Sequence, residues 1–416
     1  MKDQFFTCRA EKLALSDGSM LASVIDNTSL KGKKFFVPRA APGDILLCKE
    51  IISESPKNRF RSRAQIVEVI EKSAQRCVHA CTYYDKCGGC TLQHINYDAQ
   101  IELKIELLKD KLQYLLHENV PEIKVNISKP YEYRNRVQFH KVVHSVQLGG
   151  KKRLRKLVPA STTKQSVCGF MTRHGNDIIP VNDCPVCDPV IRGALQSSEN
   201  ILTAPLDNDR WTVYGKDGIL LSENGSLSGQ YTFCGKQVKI TAAGFFQCNG
   251  QLLEALIPEI LLYAKNADPD LCCGDFYCGV GTFAVFLQDY FNSLVLFDQN
   301  KIAMNIAREN LKTKTKASHI EFCATDDTSW AKSRKSTKQF GFVVVDPSRE
   351  GLSSVMCNWI CESKPKIVCY VSCNPAALER DAKYLLNASY KLESLSFYDF
   401  YPQTAHIESL AVFKCR

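Results

Sequence analysis

Leu271-Cys272-Cys273-Gly274-Asp275-Phe276-Tyr277-Cys278-Gly279-Val280-Gly281-Thr282-Phe283 decides the fold. An apolar run with an acidic residue near its end, followed by two glycines one residue apart, reads as a buried strand, a tight turn and the start of a helix. The first turn of a nucleotide-binding α/β sheet has this form, because glycines let the backbone come close to a ligand. A Gly-x-Gly pair is a weak mark alone. From about residue 250, however, helical and strand patterns alternate, as in a parallel sheet covered by helices.

The next strands each end near a carboxylate. Leu294-Val295-Leu296-Phe297-Asp298 places one seventeen residues after Gly281, where an acidic side chain commonly holds ribose hydroxyls. Asp326 follows Ile320-Glu321-Phe322-Cys323-Ala324-Thr325, and Asp346 ends Phe342-Val343-Val344-Val345. Any one of these aspartates reads equally well as a helix cap. In order along successive strands, with no fuller Gly-x-Gly-x-x-Gly for a dinucleotide, they fit an S-adenosylmethionine (SAM) methyltransferase.

Two further motifs lie C-terminal. Tyr370-Val371-Ser372-Cys373-Asn374-Pro375 places a cysteine at a strand end, and His406-Ile407-Glu408-Ser409 supplies a carboxylate about thirty-five residues later. A lone cysteine is most often a small core residue. Paired with a carboxylate, a thiolate can attack an electron-poor carbon while the carboxylate removes a proton from its neighbour. That pair suits alkylation at carbon 5 of a uracil ring.

The rest of the 416-residue chain bounds the class. This length calls for two or three domains. With 45% hydrophobic and 23% charged residues it reads as soluble and globular, and no apolar run nears the roughly 20 residues of a membrane span. The start, Met1-Lys2-Asp3-Gln4, has no signal-peptide core, so a cytoplasmic protein is expected, its twenty cysteines reduced. The formal charge of +9 is clustered at 31–34, 57–63 and 151–156, which fits a polyanion such as RNA better than a membrane. Residues 4 to about 72 show short strands between turns, the pattern of a small β-barrel. Its Lys33, Lys34, Phe35, Phe36 and Arg39 serve equally as a face for RNA or as ordinary core and solvated surface. Ile101, Ile105, Leu108, Leu112 and Leu115 predict a helix over 97–116, and residues 133–240 read as mainly β.

Cys81, Cys87 and Cys90 stand within ten residues around Gly88-Gly89. Four thiolates normally hold an iron–sulfur cluster or a structural zinc, and the spacing does not separate the two. The fourth is open among Cys77, Cys168, Cys184 and Cys187.

At this point the chain resembles the RNA uracil-5 methyltransferases that make 5-methyluridine. The resemblance rests on Asp275-Phe276-Tyr277-Cys278-Gly279-Val280-Gly281, Asp346-Pro347-Ser348-Arg349-Glu350-Gly351, Ser372-Cys373-Asn374-Pro375 and Thr404-Ala405-His406-Ile407-Glu408-Ser409, with Tyr133-Arg134-Asn135-Arg136 and Phe245-Phe246-Gln247-Cys248-Asn249. It implies an α/β fold in three parts. These are a TRAM-like (OB-like) RNA-binding barrel at 1–73, a central mainly β domain with an iron–sulfur site at 74–245, and a Rossmann-like SAM-dependent methyltransferase domain at 246–416, against which the helix at 97–116 is expected to pack. It further implies Cys373 as nucleophile, Glu408 as general base, and Gln247, Tyr277, Thr282, Asp298, Asp326 and Asp346 at positions for SAM or uracil. A 4Fe–4S cluster is implied on Cys81, Cys87, Cys90 and, from its Cys-Pro-Val context, Cys184. The barrel and cluster together are similar to the enzymes acting on 23S rRNA. The expected partner is 23S rRNA or a pre-ribosomal intermediate, and apart from the resemblance a monomer is expected. Three positions depart from the family pattern: Thr282 replaces an asparagine, Asp298 a glutamate, and Ser348 the second proline of Asp-Pro-Pro-Arg. Alternatives are a tRNA uracil-5 methyltransferase, a non-enzymatic RNA-binding assembly factor and an iron–sulfur oxidoreductase, the last disfavoured by the lack of a second cysteine quartet.

Overall fold

The computed structural model describes residues 5–14, 17–51, 62–113, 115, 121–141, 168–173, 175, 177–197, 209–223, 225–311, 315–333 and 338–416. The basic run at 151–156 and most of 57–63 lie outside these residues.

Five strands, β1 (Phe5–Leu13), β2 (Met20–Val24), β3 (Lys34–Val37), β4 (Ile45–Ile51) and β5 (Arg63–Glu71), close into a barrel in the order β1-β2-β3-β5-β4. Alternate residues point inward, so Phe6, Cys8 and Ala10 of β1 are buried together. Phe35 belongs to this core and packs on Phe6 at 4.5 Å between ring centroids, which removes it from any RNA-facing surface. Arg39 turns the other way. Its guanidinium lies 3.5 Å from the centre of the Tyr84 ring and docks the barrel on the cysteine-rich segment. Lys33 and Lys34 remain exposed.

Helix α1 (Tyr97–Lys111) ends before the expected boundary. Its buried face holds Ile101 and Leu108 but also Lys104, whose ammonium sits 2.6 Å from Asp399 with neither side chain exposed. A buried charge persists only with such a partner, so α1 is pinned to the chain just ahead of Glu408. The helix also packs against the barrel strand β1. Strand β6 (Lys124–Asn126) follows and leaves the central region altogether, as described below.

The central part is a five-stranded antiparallel sheet ordered β11-β10-β7-β8-β9, from β7 (Arg136–Lys141), β8 (Cys168–Met171), β9 (Ile178–Pro180), β10 (Arg210–Lys216) and β11 (Ile219–Ser222). It also carries helix α2 (Pro189–Gln196) where the sequence reads as mainly β. The signal was present, since Asp188 caps the helix and Pro189 opens it. A hairpin, β12 (Ser228–Phe233) and β13 (Lys236–Thr241), precedes the expected boundary at 246. Its Tyr231, Phe233, Val238 and Ile240 share one core with Leu252, Leu256 and Phe283, so it packs with the C-terminal part.

That part runs α3 (Gly250–Ala264), β14 (Cys272–Phe276), α4 (Ala284–Leu287), β15 (Ser293–Asp298), α5 (Lys301–Asn310), β16 (His319–Ala324), α6 (Asp327–Ser333), β17 (Phe340–Val345), α7 (Ser354–Ser363), β18 (Ile367–Ser372), α8 (Pro375–Asn387), β19 (Tyr390–Tyr398) and β20 (Glu408–Cys415). The sheet order is β16-β15-β14-β17-β18-β20-β19-β6. Strands β14 to β18 are parallel, whereas β20 runs antiparallel to both neighbours. Strand β6 closes the far edge parallel to β19, so a segment placed in the central domain completes the C-terminal sheet. Strands β17 and β18 are buried at every residue, as expected for parallel strands covered on both faces. The strand order reverses at β14, where α/β sheets open a crevice for ligands. Among the described residues no helix is long and apolar enough to cross a membrane.

Candidate active site

A cleft of about 1290 Å³ opens at the carboxyl ends of β14, β15, β17 and β18. Its floor is the turn after β14, where Tyr277, Gly279 and Gly281 all have positive φ of +60°, +54° and +77°. At Gly281 a side chain is doubly disfavoured, because a Cβ there would stand 3.2 Å from that of Ala307. The Gly279 N–H donates to Asp298 at 2.9 Å, and the Asn300 N–H donates to the same carboxylate at 2.7 Å. Asp298 is thereby fixed at the end of β15, facing the cleft.

Gln247, Tyr277, Asp298, Asp326, Asp346, Cys373 and Glu408 all line this one space. Thr282 does not: it is buried within the turn, 9% exposed, and is absent from the cleft wall. Asp275, at the end of β14, is buried beneath it and accepts the Ala284 N–H at 2.8 Å. Burial raises its carboxyl to about 8. Asp326 sits exposed at the rim and accepts the Ser329 N–H at 2.8 Å, so it caps α6 while facing the cleft. Its neighbour Asp327, passed over in the sequence, is more firmly built in. It accepts from the Tyr277 hydroxyl at 2.7 Å and the Ser353 N–H at 3.0 Å. Burial disfavours its charge, yet those bonds outweigh it and hold the carboxyl below the usual range. From sequence Asp326 alone is expected here, because position at a strand end does not distinguish two adjacent aspartates.

Local sequence explains how Cys373 is presented. β18 ends at Ser372; Asn374 then caps α8, accepting the Ala376 N–H at 3.2 Å, and Pro375 opens the helix. Cys373 is the one residue between strand and cap. Glu408 is the first residue of β20, and because β20 runs antiparallel to β18 with Ser409 opposite Ser372, its start meets the end of β18. Antiparallel register thus brings together two side chains that are far apart in the chain.

The electrostatics of this pair follow from burial. Glu408 is 3% exposed, and burial, reinforced by Asp346, pushes its carboxyl well above the usual range against the pull of Arg349. Burial, then Glu408 and Asp346, raise the Cys373 thiol to about 12. Asp346 itself, raised by burial to about 7, accepts from the Gln247 amide at 3.1 Å. The Gln247 carbonyl oxygen is buried without a hydrogen-bond partner. The ring of His406, two residues before Glu408, accepts from the Arg349 guanidinium at 2.9 Å. Burial and that guanidinium lower the imidazole to about 4, so it is a neutral acceptor.

Comparison with known proteins follows the same outline. The family model described as tRNA (Uracil-5-)-methyltransferase matches residues 227–416, the hairpin and every strand of the C-terminal sheet except β6. An RNA methyltransferase of Treponema denticola is 29% identical over 95% of this chain and 96% of its own length. The 23S rRNA (uracil(1939)-C(5))-methyltransferase RlmD of Haemophilus influenzae is 27% identical over 92% of each chain. Over residues 227–416 the chain is similar to that family, and over nearly its full length it is similar to RNA methyltransferases. The crystal structure of Pyrococcus abyssi tRNA (uracil-54, C5)-methyltransferase in complex with S-adenosyl-L-homocysteine covers 98% of this chain and 100% of its own, with a TM-score of 0.67 at 21% identity. That likeness shows a shared methyltransferase fold.

A second cavity, of about 370 Å³, lies between the 81–93 segment and the central sheet. Cys81, Cys87, Cys90, Cys184 and Cys187 line it. Of the other thiols weighed as a fourth ligand, Cys168 packs in the sheet core with Phe139 and Trp211, and Cys77 is exposed with its thiol on the Gln93 carbonyl at 3.4 Å. Burial raises Cys81 to about 11 and Cys90 to about 12. Among the described residues no three His, Cys, Asp or Glu side chains are arranged to hold one metal ion. Each thiolate of a cubane takes a different iron, so thiols spread around a cavity suit a cluster better than a single zinc.

Proposed function

We propose that this enzyme methylates carbon 5 of a uridine in 23S rRNA, with Cys373 as nucleophile and Glu408 as general base. The observation that carries the reading is the meeting of Cys373 and Glu408 at the β18–β20 register, within a cleft whose other wall is the glycine turn and Asp298. S-adenosylmethionine fits that wall, where Gly279 leaves room for close approach and the unpartnered Gln247 carbonyl awaits a donor; when bound it supplies an electrophilic methyl group.

The chain's own residues do the rest. Cys373 gives up its proton to solvent in the open cleft, a loss that Arg349 favours, and its sulfur bonds to carbon 6 of the ring. The carbon 5–carbon 6 double bond becomes an enolate, and carbon 5, now nucleophilic, accepts the methyl group. Glu408 removes the carbon 5 proton; its raised carboxyl makes it a stronger base for that task than an exposed glutamate. The double bond reforms as the carbon 6–sulfur bond breaks, freeing Cys373. Ring faces are blocked in stacked RNA, so the target uridine is turned out of its stack into the cleft.

Cys81, Cys87, Cys90 and Cys184 would hold a 4Fe–4S cluster in the second cavity. Methyl transfer needs no electron, so the cluster would cross-link the 81–93 segment to the central sheet. The barrel and its exposed Lys33 and Lys34 would contact RNA phosphates.

The 27%-identical RlmD relative supports 23S rRNA as substrate. A tRNA substrate is the second reading, favoured by the full-length likeness to the Pyrococcus abyssi enzyme. Tritium release from carbon 5 of labelled uridine, measured on unmodified 23S rRNA, 16S rRNA and tRNA, separates them. Release from 23S rRNA alone is expected. Release from tRNA keeps the chemistry and overturns the substrate, and no release from any RNA by cluster-loaded protein overturns the reaction.

A further inference from the structure

The cysteine cavity carries more positive charge than its apolar lining explains. Arg134 and Arg173 both face it, and among the described residues neither forms an ion pair with a carboxylate. Asp183 also lines the cavity, but Arg192 holds it at 2.6 and 3.0 Å and Gln196 at 3.1 Å. His140 is kept neutral by burial and by Arg210. Arg173 donates through Nη2 to the Cys87 carbonyl at 3.3 Å and to that of Cys90, while its Nε is buried with no partner among the described residues. Guanidinium groups do not shed their proton, so the site holds two fixed cations beside a group of neutral thiols. Both arginines are half-buried, and charge of one sign partly withdrawn from water is costly when uncompensated.

Arg134 also occupies a structural junction. Its backbone N–H donates to the Val186 carbonyl at 2.8 Å and its carbonyl accepts the Asp188 N–H at 2.8 Å, which straps it to the Cys184–Cys187 loop. The next residue, Asn135, donates to the Cys248 carbonyl at 2.9 Å, and Arg134 bridges to Asn249. Cys248 and Asn249 directly follow Gln247, which lines the cleft and holds Asp346. Two residues therefore span from the cysteine loop to the cofactor side of the cleft.

We propose that Arg134 and Arg173 are the charge partners of a four-thiolate iron–sulfur cluster in this cavity, and that the Arg134–Asn135 segment couples its occupancy to binding in the cleft. The proposal rests on the cluster reading given above. A cubane in its usual oxidised form, held by four thiolates, carries two net negative charges, which two guanidiniums balance. Neither arginine touches the reacting atoms; both act through the cluster and the backbone.

The test uses full-length protein loaded anaerobically with iron and sulfide. Arg134→Met and Arg173→Met keep the length of the stem and remove the charge, while Arg134→Lys and Arg173→Lys retain it. The Met variants are expected to lose iron to a chelator about 10- to 100-fold faster than wild type. Their midpoint potentials should move to more negative values, because reduction adds a charge that the missing cation no longer offsets. The Lys variants should recover most of both properties, which a purely structural arginine would not predict. Loaded wild type should bind S-adenosylhomocysteine more tightly than cluster-free wild type by calorimetry. Met variants with wild-type iron retention and potential would overturn the charge pairing, and equal affinities with and without cluster would overturn the coupling. Wild type that takes up zinc, or neither iron nor sulfide, would overturn the cluster reading and this inference with it.

Discussion

The cleft and the cysteine cavity are both lined by side chains that short motifs single out, yet they are assembled in opposite ways. The cleft is built from the ends of neighbouring strands in one sheet, so Asp298, Asp346 and Cys373 arrive in chain order, each at a strand terminus. The cavity is built from loops, with Cys81, Cys87 and Cys90 on one segment and Cys184 on another about a hundred residues away. Their electrostatics differ to match. Buried carboxyls with raised proton affinity crowd the cleft, whereas two arginines without acidic partners flank the cavity. A site made of strand ends is rigid before any ligand arrives and suits chemistry. A site made of loops gains its rigidity from what fills it.

The sharpest way to break this comparison is at Cys373. Cys373→Ala should lower tritium release by about 10⁴-fold or more while S-adenosylhomocysteine binding stays near wild type; residual turnover at the wild-type rate would remove Cys373 as nucleophile. Glu408→Gln should cost about 10²- to 10⁴-fold and leave a covalent protein–RNA adduct on a denaturing gel. If none can be trapped, the proton is taken by another group. Cys87→Ser addresses the other region. Solubility and RNA affinity should fall while kcat at saturating RNA stays within about two-fold. A pure rate defect with normal binding would mean the cavity takes part in the chemistry.

Acidity sharpens the contrast further. Asp275 is raised from 3.8 to about 8, so between those values the folded protein holds a proton that the unfolded chain has released. Stability of the ligand-free protein should therefore fall as pH rises through that window, and Asp346 and Glu408 act in the same direction. Asp275→Asn should flatten the slope by up to about 1.4 kcal/mol per pH unit, read by denaturant titration. An unchanged slope would place the responsible protons elsewhere. The smallest effect is expected from Tyr277→Phe, which removes the bond to Asp327 and should weaken S-adenosylhomocysteine binding by about 2- to 10-fold.

Much of the cleft was legible because its chemistry sits at strand ends. A buried strand, a carboxylate and a cap form a local pattern, and Asn374-Pro375 after Cys373 marks the strand-to-helix turn without reference to anything distant. Asp326 and Asp327 were not separable, because which of two adjacent carboxylates meets Tyr277 depends on the unusual positive φ of that tyrosine and on where Ser353 lies. The barrel strands were legible by alternation, but the same alternation left Phe35 ambiguous between core and RNA face until closure of the barrel buried it. The division into parts was the least legible. β6 and the β12–β13 hairpin are local strands whose partners lie far away in sequence, and apolar faces join whichever core can cover them.

Short-range pattern defines most elements and the identity of their ends, though not helix α2: a barrel, a cysteine-rich segment, an alternating α/β half, and a cysteine and a glutamate each beside a strand. Periodicity, caps and glycine turns are short-range, so they survive in a single chain read linearly. What only the tertiary structure decided is pairing. The antiparallel entry of β20 beside β18 sets Glu408 against Cys373. Burial of Lys104 against Asp399 pins α1 beneath the same loop. Convergence of Cys184 and Cys187, rather than Cys168 or Cys77, completes the cysteine cavity. Hydrogen-bond register and burial act between residues tens to hundreds of positions apart, and their energies depend on a surrounding that does not exist until the chain has folded.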